Sequence, residues 1–568
     1  MSYRWQIEDR APSNIIDELE VHTGLNRILL NILYQRNLKT PSEIDHFLAP
    51  DLSTGHDPFL LKGMHEAVTR IRAAVENDEK IRIHGDYDVD GVTAVALLVR
   101  VLRRIGATVD TCIPHRTEDG YGLSLEALEK ARSDGIKVLI TVDCGISACR
   151  EAEHADELGI DLIVTDHHMP GSDLPCALAV INPRQSDCSY PFKDLCGVGL
   201  AFKLACALDP PDTEPSLLEF LDLVALGTTA DVVQLQDENR VFVKYGLPQL
   251  GRTRWPGIEA LIDRTDLQRD TITASQTVFT LAPRINAAGR VSDAHDALML
   301  LLTDDPFEAA ELAQSLDLHN NERKEIDRFT LNRAHEIIDA QGGLGDRSAL
   351  VLCAEEWHAG VIGIVASRLA ESYNVPTILV AMDGEEGKGS ARSIFGFDLY
   401  EALSECSEHL IEFGGHPRAA GLCLASDKIE VFTREFERIA RNKIIDKDIQ
   451  PLLNVDYEVN SGDLTRDFLA EMGRLEPFGE GNIKPVFMIR GAQIHGSPRR
   501  VGPDRAHLKF AVKCSGYYPL DAIGFRLGDR IGDLSEGVFD IAFAFEENVF
   551  RGVSRPQLRV KDIRKASS

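Results

Sequence analysis

The chain has 568 residues, of which 44% are hydrophobic and 27% are charged, so its composition is that of a soluble globular protein with several domains. Its formal net charge of −29 excludes a protein whose whole surface binds a polyanion, such as a histone-like or ribosomal-type coat protein. The charge is unevenly spread, however, because residues 481–568 hold 15 Lys or Arg against 9 Asp or Glu. The net positive charge of this C-terminal segment, in a chain that is otherwise acidic, has to be explained by its function.

The N-terminus and the cysteines indicate the compartment. The first residues, MSYRWQIEDR, include acidic side chains where a signal peptide has an apolar core, and the most apolar stretch, 92–102, is interrupted by Arg100. The 11 cysteines are scattered and form no CxxC pair, which argues against a disulfide framework and a thiolate zinc site. We therefore expect a cytoplasmic protein without a membrane segment.

From about residue 80, short β-rich runs alternate with helical periodicity, which is typical of a parallel sheet wrapped by helices. Strands are predicted at 81–84, 108–113, 137–142, 161–165 and 177–182, and helices at 92–105, 124–133, 146–158 and 216–226. A long polar helix is predicted at 306–340, because the stretch DLHNNERKEIDRFTLNRAHEI lacks Gly and Pro and has i,i+4 charge pairs. Such a helix usually bridges two domains.

A second α/β pattern follows the glycine cluster at 342–345, with strands at 349–354 and 376–382 and helices at 361–372 and 427–443. Strand-like runs at 485–489, 507–512, 539–545 and 557–560 then predict a small β-barrel. The predicted boundaries are an N-terminal segment at 1–48, a first α/β domain at 49–305, a connecting helix at 306–341, a second α/β domain at 342–452 and the barrel at 453–568.

Four segments of the first domain concentrate carboxylates and imidazoles: HGDYDVDG at 84–91, VDCG at 142–145, TDHH at 165–168 and TTADVV at 228–233. Three of them directly follow a predicted parallel strand, and the carboxyl ends of such strands meet in one crevice. Extended residues two apart project to the same side, so His84, Asp88 and Asp90 can reach a common centre. Asp143 and His167 join them from neighbouring strands.

Oxygen and imidazole donors with few thiolates suit a divalent cation such as Mn²⁺ or Mg²⁺. Carboxylates this close cannot all stay ionised without cations, and two ions would resolve the repulsion. Two metals can share a bridging water and polarise a phosphoryl oxygen, as in many phosphatases and nucleases. For a single Asp, capping of the helix near residue 92 is an equally good interpretation of Asp86, Asp88 or Asp90. The whole set favours a metal site.

The four motifs resemble those of the DHH phosphoesterase superfamily, and EDGYGL, INPR, GVGLAFKL and RINAAGR are similar to its single-strand-specific 5′ to 3′ exonucleases. The resemblance runs from about residue 50 to the end of the barrel. It implies an α/β fold with a parallel-sheet DHH domain, a long connecting helix, a smaller α/β DHHA1 domain and a C-terminal OB-type β-barrel.

The resemblance also implies which residues hold two divalent cations, Mn²⁺ or Mg²⁺. One ion would be bound by His84, Asp88, Asp143 and Asp231, and the other by Asp90, Asp143, His167 and Asp231. His168 would contact the scissile phosphate, Asp166 would support the ligands, and Asp86 would orient them or bind directly. The implied catalytic residues are Asp88, Asp90, Asp143, His167, His168 and Asp231. Water activated by the two metals would attack the phosphodiester and release a 5′-mononucleotide.

A further set is predicted to bind substrate phosphate: Arg284, Asn286, Arg290, Arg392, Gly414, Gly415 and His416. The first three belong to RINAAGR, where small residues let a phosphate approach the backbone, although a solvated helix surface is also compatible. The others belong to KGSARS and FGGHPRAAG, which resemble the DHHA1 region. Trp357 and His358 fit equally well with stacking on a base or with filling a domain interface.

The barrel resembles an OB-fold, which binds single strands through a cationic groove and aromatic platforms. The candidate cations are Arg499, Arg500, Arg505, Lys509, Arg551, Arg555 and Arg559, beside the aromatics Phe510, Tyr517, Tyr518 and Phe550. Several of these aromatics must belong to the barrel core.

The sequence thus predicts a metal-dependent exonuclease that degrades single-stranded DNA in repair and recombination. One competitor is a DHH phosphatase acting on short oligonucleotides or nucleoside bisphosphates, which has little use for a basic barrel. Another is a binding scaffold without catalysis, which the intact ligand set argues against. The expected partners are single-stranded DNA and, from the resemblance, a single-strand-binding protein and a recombination helicase, with a monomer as the default state and no membrane contact.

Overall fold

The computed structural model describes residues 3–115, 120, 122–209, 216–444, 451–502, 505–513, 519–534, 537–550 and 553–566. The chain divides into two compact units, one formed by Gly55–Asp448 and the other by Met1–Thr54 together with Ile449–Ser568. Across the described residues we find no helix with both the length and the apolar character needed to span a bilayer.

The first lobe of the larger unit is built on a five-stranded parallel sheet. The strand order is Thr108–Cys112, Lys80–Gly85, Val138–Val142, Asp161–Thr165 and Ala179–Ile181. The three central strands are almost entirely buried, as expected for a parallel sheet covered on both faces. All five strands predicted from the sequence are therefore confirmed.

Helices cover both faces of this sheet and extend beyond it. They are Met64–Glu76, Val89–Arg104, Leu125–Ser133, Cys149–Glu157, Gly197–Leu208, Leu221–Ala230, Asp237–Leu250, Pro256–Asp263, Ala274–Gln276, Ala282–Val291 and His295–Leu302, with a π-helical turn at Thr277–Leu281 and 3₁₀ turns at Pro58–Leu60, Leu217–Phe220 and Arg269–Thr271. The predicted start at residue 92 is wrong, because the side chain of Asp88 caps a helix that begins at Val89. The predicted helix at 146–158 likewise begins only at Cys149.

A single helix, Pro306–Ala340, connects the two lobes of this unit and confirms the predicted long helix. The side chain of Asp305 accepts a hydrogen bond from the backbone N–H of Phe307, and Pro306 occupies the first turn, where its missing N–H is harmless. Buried alanines and Leu316 face neighbouring helices, whereas most charged side chains face solvent. The polar composition therefore describes the exposed side of a packed helix.

The second lobe is a mixed sheet in the order Glu412–His416, Ala419–Ala425, Glu386–Arg392, Thr377–Asp383 and Leu350–Ala354. Only the last two strands are parallel. Its helices are Ala359–Tyr373, Leu399–Glu405 and Ile429–Lys443, with 3₁₀ turns at Ser407–His409 and Ser426–Lys428. Separate hydrophobic clusters cover the two faces of the sheet, so each face has its own core.

The smaller unit contains a closed five-stranded barrel. Its strands are Phe487–Val501, His507–Lys513, Leu520–Gly524, Val538–Phe550 and Val553–Lys565. The first strand pairs with both the second and the fourth, the second pairs with the third, the third with the fifth, and the fifth with the fourth, which closes the sheet. This order is that of a five-stranded Greek-key barrel of the OB type.

The N-terminal residues fold onto this barrel within the same unit. The strand Arg4–Ile7 pairs with Leu452–Val455, and Tyr457–Glu458 adds to the first barrel strand. The helices of this unit are Ser13–Thr23, Arg27–Gln35, Pro41–Leu48 and Arg466–Gly473, with 3₁₀ turns at Leu52–Thr54, Ser461–Asp463 and Gly528–Leu534. One hydrophobic core joins residues of these helices to the barrel interior. The sequence-based domain boundaries stay predictions, but residues 1–48 do not stand apart from the barrel.

Candidate metal centre and nucleic-acid surfaces

Polar residues gather at the carboxyl edge of the parallel sheet. His84 is the residue before the last in the strand Lys80–Gly85, and Asp143 directly follows the next strand of the sheet. His167 lies two residues after the end of the third strand. Asp90 lies in the first turn of a helix, and Asp231 directly follows the helix Leu221–Ala230. The structure therefore brings together residues from four segments, as the sequence predicts.

The imidazole of His167 is the centre of the tightest group. Its Nε2 atom lies 3.0 Å from Oδ1 of Asp143, 3.6 Å from Oδ2 of Asp231 and 4.0 Å from Oδ2 of Asp90. In the described part of the chain, ligand atoms of three sets lie within 4.8 Å of one another: Asp90 with His167 and Asp231, Asp143 with His167 and His168, and Asp86 with Asp88 and Asp143. Adjacent sets of this kind suit two neighbouring ions.

These residues fit divalent cations by their hydrogen bonding as well as by their chemistry. Among the described residues, Nε2 of His167 and Oδ2 of Asp231 are buried atoms without a hydrogen-bond partner. A buried polar atom without a partner costs free energy, and a cation supplies the missing interaction. Oxygen and imidazole donors are the ones that Mn²⁺ binds, and Mg²⁺ prefers the oxygens.

The crowding of buried carboxylates shifts their proton equilibria. Burial, and then the neighbouring Asp88, raise the pKa of Asp90 to about 7. Burial and nearby carboxylates raise the pKa of Asp143 and of Asp231 well above the usual value of an aspartate. Burial lowers the pKa of His167 to about 3, so its imidazole is neutral near pH 7, which is the state that binds a metal. Bound cations would favour the ionised carboxylates.

Backbone N–H groups hold Asp90 in place. Its two carboxylate oxygens accept hydrogen bonds from Gly197 (2.6 Å) and Val198 (2.8 Å), at the start of the helix Gly197–Leu208. An anion at a helix N-terminus is stabilised by the free N–H groups and the helix dipole. A Cβ at Gly197 would lie 2.6 Å from the Cβ of Asp143, so only glycine allows the start of this helix to lie so close to Asp143.

Asp143 lies in an unusual backbone conformation. Its φ angle is +60°, a region that non-glycine residues rarely adopt, and its N–H donates to the carbonyl of Thr165 on the neighbouring strand. Gly145 follows with a φ of +106°, and the carbonyl of Cys144 accepts a hydrogen bond from Thr141. In this tight turn the Asp143 carboxylate lies 3.0 Å from Nε2 of His167, and such backbone strain is common at functional sites.

His168 is paired with Asp166 and faces partly toward solvent. Its Nδ1 lies 2.7 Å from Oδ1 of Asp166, which also accepts a hydrogen bond from the His168 backbone N–H. The second oxygen of Asp166 accepts from the N–H of Ile146. Burial opposes a charge on His168, but the Asp166 hydrogen bond and the surrounding carboxylates outweigh it and raise the pKa of the imidazole. An imidazole that is oriented in this way and whose protonated form is favoured is suited to donate to a phosphate oxygen.

His84 and Asp86 complete the sheet edge. Nε2 of His84 lies 3.1 Å from the carbonyl oxygen of Gly122, and metal-binding histidines commonly have their other ring nitrogen held in this way. Oδ1 of Asp86 accepts a hydrogen bond from the N–H of Tyr87. The sequence left the role of Asp86 open, and the structure places carboxylate oxygens of Asp86, Asp88 and Asp143 within 4.8 Å of one another.

The three residues predicted from RINAAGR make contacts within the protein. Arg284 pairs with Asp317 at 2.9 Å and also donates to a backbone carbonyl of the preceding turn. Oδ1 of Asn286 accepts from the N–H of Val89, and Arg290 donates to the carbonyl of Gly360. Their roles in phosphate binding stay predictions, while the observed contacts are structural.

A row of small and polar residues crosses the second lobe. Arg392 pairs with Ala419, which pairs with His416, and Ser390 pairs with Gly421, which pairs with Gly414. Directly paired residues share a face of the sheet, so these six residues form one surface opposite the hydrophobic cluster around Ile378. A Cβ at Gly414 or Gly421 would meet open space. The sequence identified Arg392, Gly414, Gly415 and His416 but missed Ser390 and Gly421, which the alternation in KGSARS and RAAG places on the same face.

Comparison with known proteins connects these features. Residues 80–228 match the family described as DHH family, N-terminal domain, residues 346–442 match the DHHA1 domain, and residues 455–562 match the RecJ OB domain. The single-stranded-DNA-specific exonuclease RecJ of Bacillus subtilis is 39% identical over 98% of this chain and 70% of the relative. The chain belongs to the RecJ family.

Solved RecJ structures agree with this assignment. The structure of RecJ of Thermus thermophilus in complex with Mn²⁺ superposes with a TM-score of 0.85 and 32% identity, and the alignment covers 100% of this chain and 80% of the Thermus chain. The same protein in complex with Mg²⁺ gives a TM-score of 0.80 at 30% identity, with 100% and 79% coverage. The predicted DHH, DHHA1 and OB architecture is thus confirmed.

In this member of the RecJ family, Trp357 belongs to the core of the second lobe. It is 5% exposed and packs in the hydrophobic cluster beside the helix Ala359–Tyr373, so it lies in a core rather than at a surface where a base could stack. His358 caps the same helix, with Nδ1 accepting from the N–H of Gly360.

The RecJ OB domain carries its cations on the barrel surface. Arg499, Arg505, Arg555 and Arg559 are exposed, Arg500 binds the carbonyl of Gly528, and Lys509 lies 3.7 Å from Asp521. Phe510 is buried in the barrel core. Arg551, Tyr517 and Tyr518 lie outside the described residues, as does the side chain of Phe550. Arg499, Arg500, Arg505, Lys509, Arg551 and Arg555 therefore all stay predicted contacts, with Arg559 beside them.

The sequence missed Phe525, an aromatic residue directly after the third barrel strand. Its ring is 47% exposed, lies 5.1 Å from the ring of His507, and has the guanidinium of Arg559 5.2 Å from its centroid. The second and third strands form the binding face of OB-folds. We call Phe525, His507 and Arg559 the aromatic-basic cluster. Their proximity could not be predicted from the sequence, because the three residues belong to different parts of the barrel.

Proposed function

We propose that this protein is a divalent-metal-dependent exonuclease that degrades single-stranded DNA from the 5′ end to 5′-mononucleotides. The observation that carries the proposal is the convergence of three aspartates on His167: Asp90, Asp143 and Asp231 each place a carboxylate oxygen within 4.0 Å of its Nε2 atom. Membership of a family whose named members are single-stranded-DNA-specific exonucleases supports the substrate class.

We propose the same ligands for two cations, Mn²⁺ or Mg²⁺, as the resemblance implies. His84, Asp88, Asp143 and Asp231 would hold one ion, and Asp90, Asp143, His167 and Asp231 the other. Bound there, two such ions supply an activated water and polarise a phosphoryl oxygen. Asp86 supports the set from the same loop, and the N–H groups of the helix Gly197–Leu208 fix Asp90.

His168 orients the scissile phosphate in this proposal. The Asp166 carboxylate holds Nδ1 and raises the pKa of the imidazole, which favours its protonated form, and Nε2 is then available to donate to a phosphate oxygen. The surface of the second lobe around Arg392, Gly414 and His416 supplies further phosphate contacts, and Gly415 is required there because a Cβ would lie 2.5 Å from the carbonyl of Ala419.

The barrel binds the rest of the strand. Its exposed arginines neutralise phosphates, and the aromatic-basic cluster offers a ring on which a base can stack. Arg284, Asn286 and Arg290 remain candidate substrate contacts, although each is engaged within the protein.

A directional assay tests the proposed function. Single strands labelled at the 5′ or the 3′ end are incubated with the protein and Mn²⁺, and we expect immediate release of mononucleotide from the 5′ label and slow loss of the 3′ label. The Asp143→Ala variant is expected to lose at least 10³-fold in rate, because it removes a residue shared by both proposed ion sites. Gly473→Ala, which places a methyl group in open space, is the matched control with full activity.

Other outcomes identify the competing functions. Hydrolysis restricted to di- to pentanucleotides would instead support an oligonucleotide phosphatase. DNA binding without hydrolysis would support a scaffold. Equal activity of Asp143→Ala and wild type would show that the metal site is elsewhere.

We further propose a cytoplasmic role in DNA repair and recombination, as a monomer that receives strands from a single-strand-binding protein and a recombination helicase. The family resemblance supports this role. Light scattering tests the monomer, and co-purification with a purified single-strand-binding protein tests the contact.

A further inference from the structure

The helix Ala282–Val291 lies between the loop of residues 84–91 and the second lobe. On one side, Oδ1 of Asn286 accepts a hydrogen bond of 3.0 Å from the N–H of Val89. On the other side, Nη1 of Arg290 donates a hydrogen bond of 3.1 Å to the carbonyl of Gly360. One short helix thus contacts both the helix Ala359–Tyr373 and the loop of residues 84–91. Because this loop carries proposed metal ligands, we call it the metal loop.

Asn286 completes the first turn of the helix that carries Asp90. An α-helix begins with N–H groups that have no partner within the helix. Here Oδ1 of Asp88 accepts from the N–H groups of Asp90 and Gly91, and Asn286 accepts from Val89. Since Asp88 and Asp90 are proposed ligands, Asn286 helps to fix the turn on which both of them lie.

Three glycines allow the segments to approach closely. A Cβ at Gly289 would lie 3.0 Å from the carbonyl oxygen of Tyr87, and a Cβ at Gly360 would overlap the carbonyl oxygen of Arg290. Farther along, a Cβ at Gly363 would lie 2.8 Å from Oγ of Ser390, on the surface that includes Arg392. The spacing from the metal loop to this surface is therefore set by close contacts at these glycines, and a methyl group at any of them would lengthen it.

We propose that the helix Ala282–Val291 is a spacer that fixes the metal loop relative to the substrate surface of the second lobe. Asn286, Gly289 and Gly360 are its positioning residues, and Asn286 acts on the metal loop through its hydrogen bond with the N–H of Val89. The inference rests on the proposed function, because it concerns the distance between the proposed ions and the surface around Arg392. A displacement of about 1 Å between reacting groups can lower a rate about 100-fold.

The metal-loop end of the spacer is tested with Asn286→Ala. Mn²⁺ binding to the full chain, measured by calorimetry without DNA, is expected to weaken about tenfold, as for losses of other residues that support metal ligands. Unchanged Mn²⁺ affinity together with a raised KM for DNA would overturn the proposal, because it would make Asn286 a substrate ligand.

The second-lobe end is tested with Gly360→Ala. We expect Mn²⁺ affinity equal to that of the wild type and a kcat on single-stranded DNA about 100-fold lower. Gly473→Ala is the control, since its added methyl group meets open space. Full kcat in Gly360→Ala would overturn the proposal.

A milder substitution covers the case in which Gly360→Ala does not fold, as judged by circular dichroism and thermal unfolding. Gly289→Ala requires a shift of only a few tenths of an ångström and is expected to lower kcat about tenfold with a folded protein. Full kcat in that variant would also overturn the spacer. If the wild type hydrolyses no single-stranded DNA, the proposed function fails, whereas the Mn²⁺ measurement on Asn286→Ala still decides the metal-loop contact.

Discussion

Asp88 shows how one residue can satisfy two interpretations of a sequence. Its Oδ1 caps the helix that begins at Val89, which is the structural explanation that applies to any single Asp in this motif. The same carboxylate lies with Asp86 and Asp143 in a group close enough to hold an ion. A carboxylate has two oxygens, so capping and metal binding do not exclude each other.

The support of Asp90 could not be predicted from the sequence. Its carboxylate is held by the N–H groups of Gly197 and Val198, more than a hundred residues away in the chain. Backbone donors have no side-chain signature, and their contribution depends only on where the helix begins in space. The motif therefore revealed the ligand type but not what fixes it.

A buried acid outside the metal centre gives a pH-dependent prediction. Asp222 accepts hydrogen bonds from Thr253 and from Nε1 of Trp255, and burial raises its pKa to about 6. The unfolded carboxyl has a pKa near 4, so the folded state binds the proton more tightly and Asp222 favours folding more as the pH falls from 7 to 5. Relative to Asp222→Asn, the wild type should gain about 1 to 2 kcal/mol in unfolding free energy over that interval.

Denaturant unfolding at pH 5 and pH 7, followed by tryptophan fluorescence, measures this difference. The comparison with the asparagine variant cancels the contribution of the other titrating groups, because both proteins contain them. If the unfolding free energies of the two proteins differ by the same amount at both pH values, the pKa of Asp222 is not raised in the folded state.

At the scale of elements, the order of strands determines which residues meet. The barrel strands after residue 487 are longer than the sequence predicts, because residues such as Arg490 and Gly491 interrupt the apolar pattern without ending the strand. His507 begins the second strand, Phe525 follows the third, and Arg559 lies on the fifth. Their adjacency results from the closure of the sheet and is not encoded by any local spacing.

The aromatic-basic cluster leads to a binding prediction. Phe525→Leu keeps an apolar side chain but removes the stacking platform, so the Kd for a 20-nucleotide single strand should rise about tenfold. Fluorescence anisotropy in EDTA measures this without hydrolysis. Ile483→Ala, which alters another exposed apolar side chain of the same unit, should bind like the wild type. Unchanged affinity of Phe525→Leu would place the strand on another face of the barrel.

At the scale of the whole molecule, the net charge of −29 does not exclude a nucleic-acid partner. Part of the negative charge is the carboxylate cluster, which bound cations would neutralise. The exposed arginines of the barrel give the basic C-terminal segment a local role. A global charge therefore argues only against non-specific binding over the entire surface.

Metal binding should stabilise the unit that contains the centre. At a Mn²⁺ concentration 100 times its Kd, binding to the native state adds about 2.7 kcal/mol per site, or roughly 3 °C for a unit of this size. Asp143→Asn should raise the Tm of the metal-free protein, because it removes one of the repelling buried carboxylates, and should abolish the Mn²⁺ effect.

Thermal unfolding with and without Mn²⁺ tests both statements. Trp255 and Trp357 lie in this unit and report its unfolding by fluorescence. A lower Tm of metal-free Asp143→Asn would show that the carboxylates do not repel one another in the folded state.

The sequence by itself determined the alternating α/β pattern, the long helix, the barrel and the residue types of the metal centre. These follow from local periodicity, from turn residues and from the chemistry of donors at strand ends. Only the tertiary structure decided that Trp357 belongs to a core, that the N-terminal segment packs with the barrel, that Asn286 contacts the metal loop and that Phe525 meets Arg559. Each of these depends on contacts between residues distant in the chain, whose geometry is set by packing rather than by local spacing.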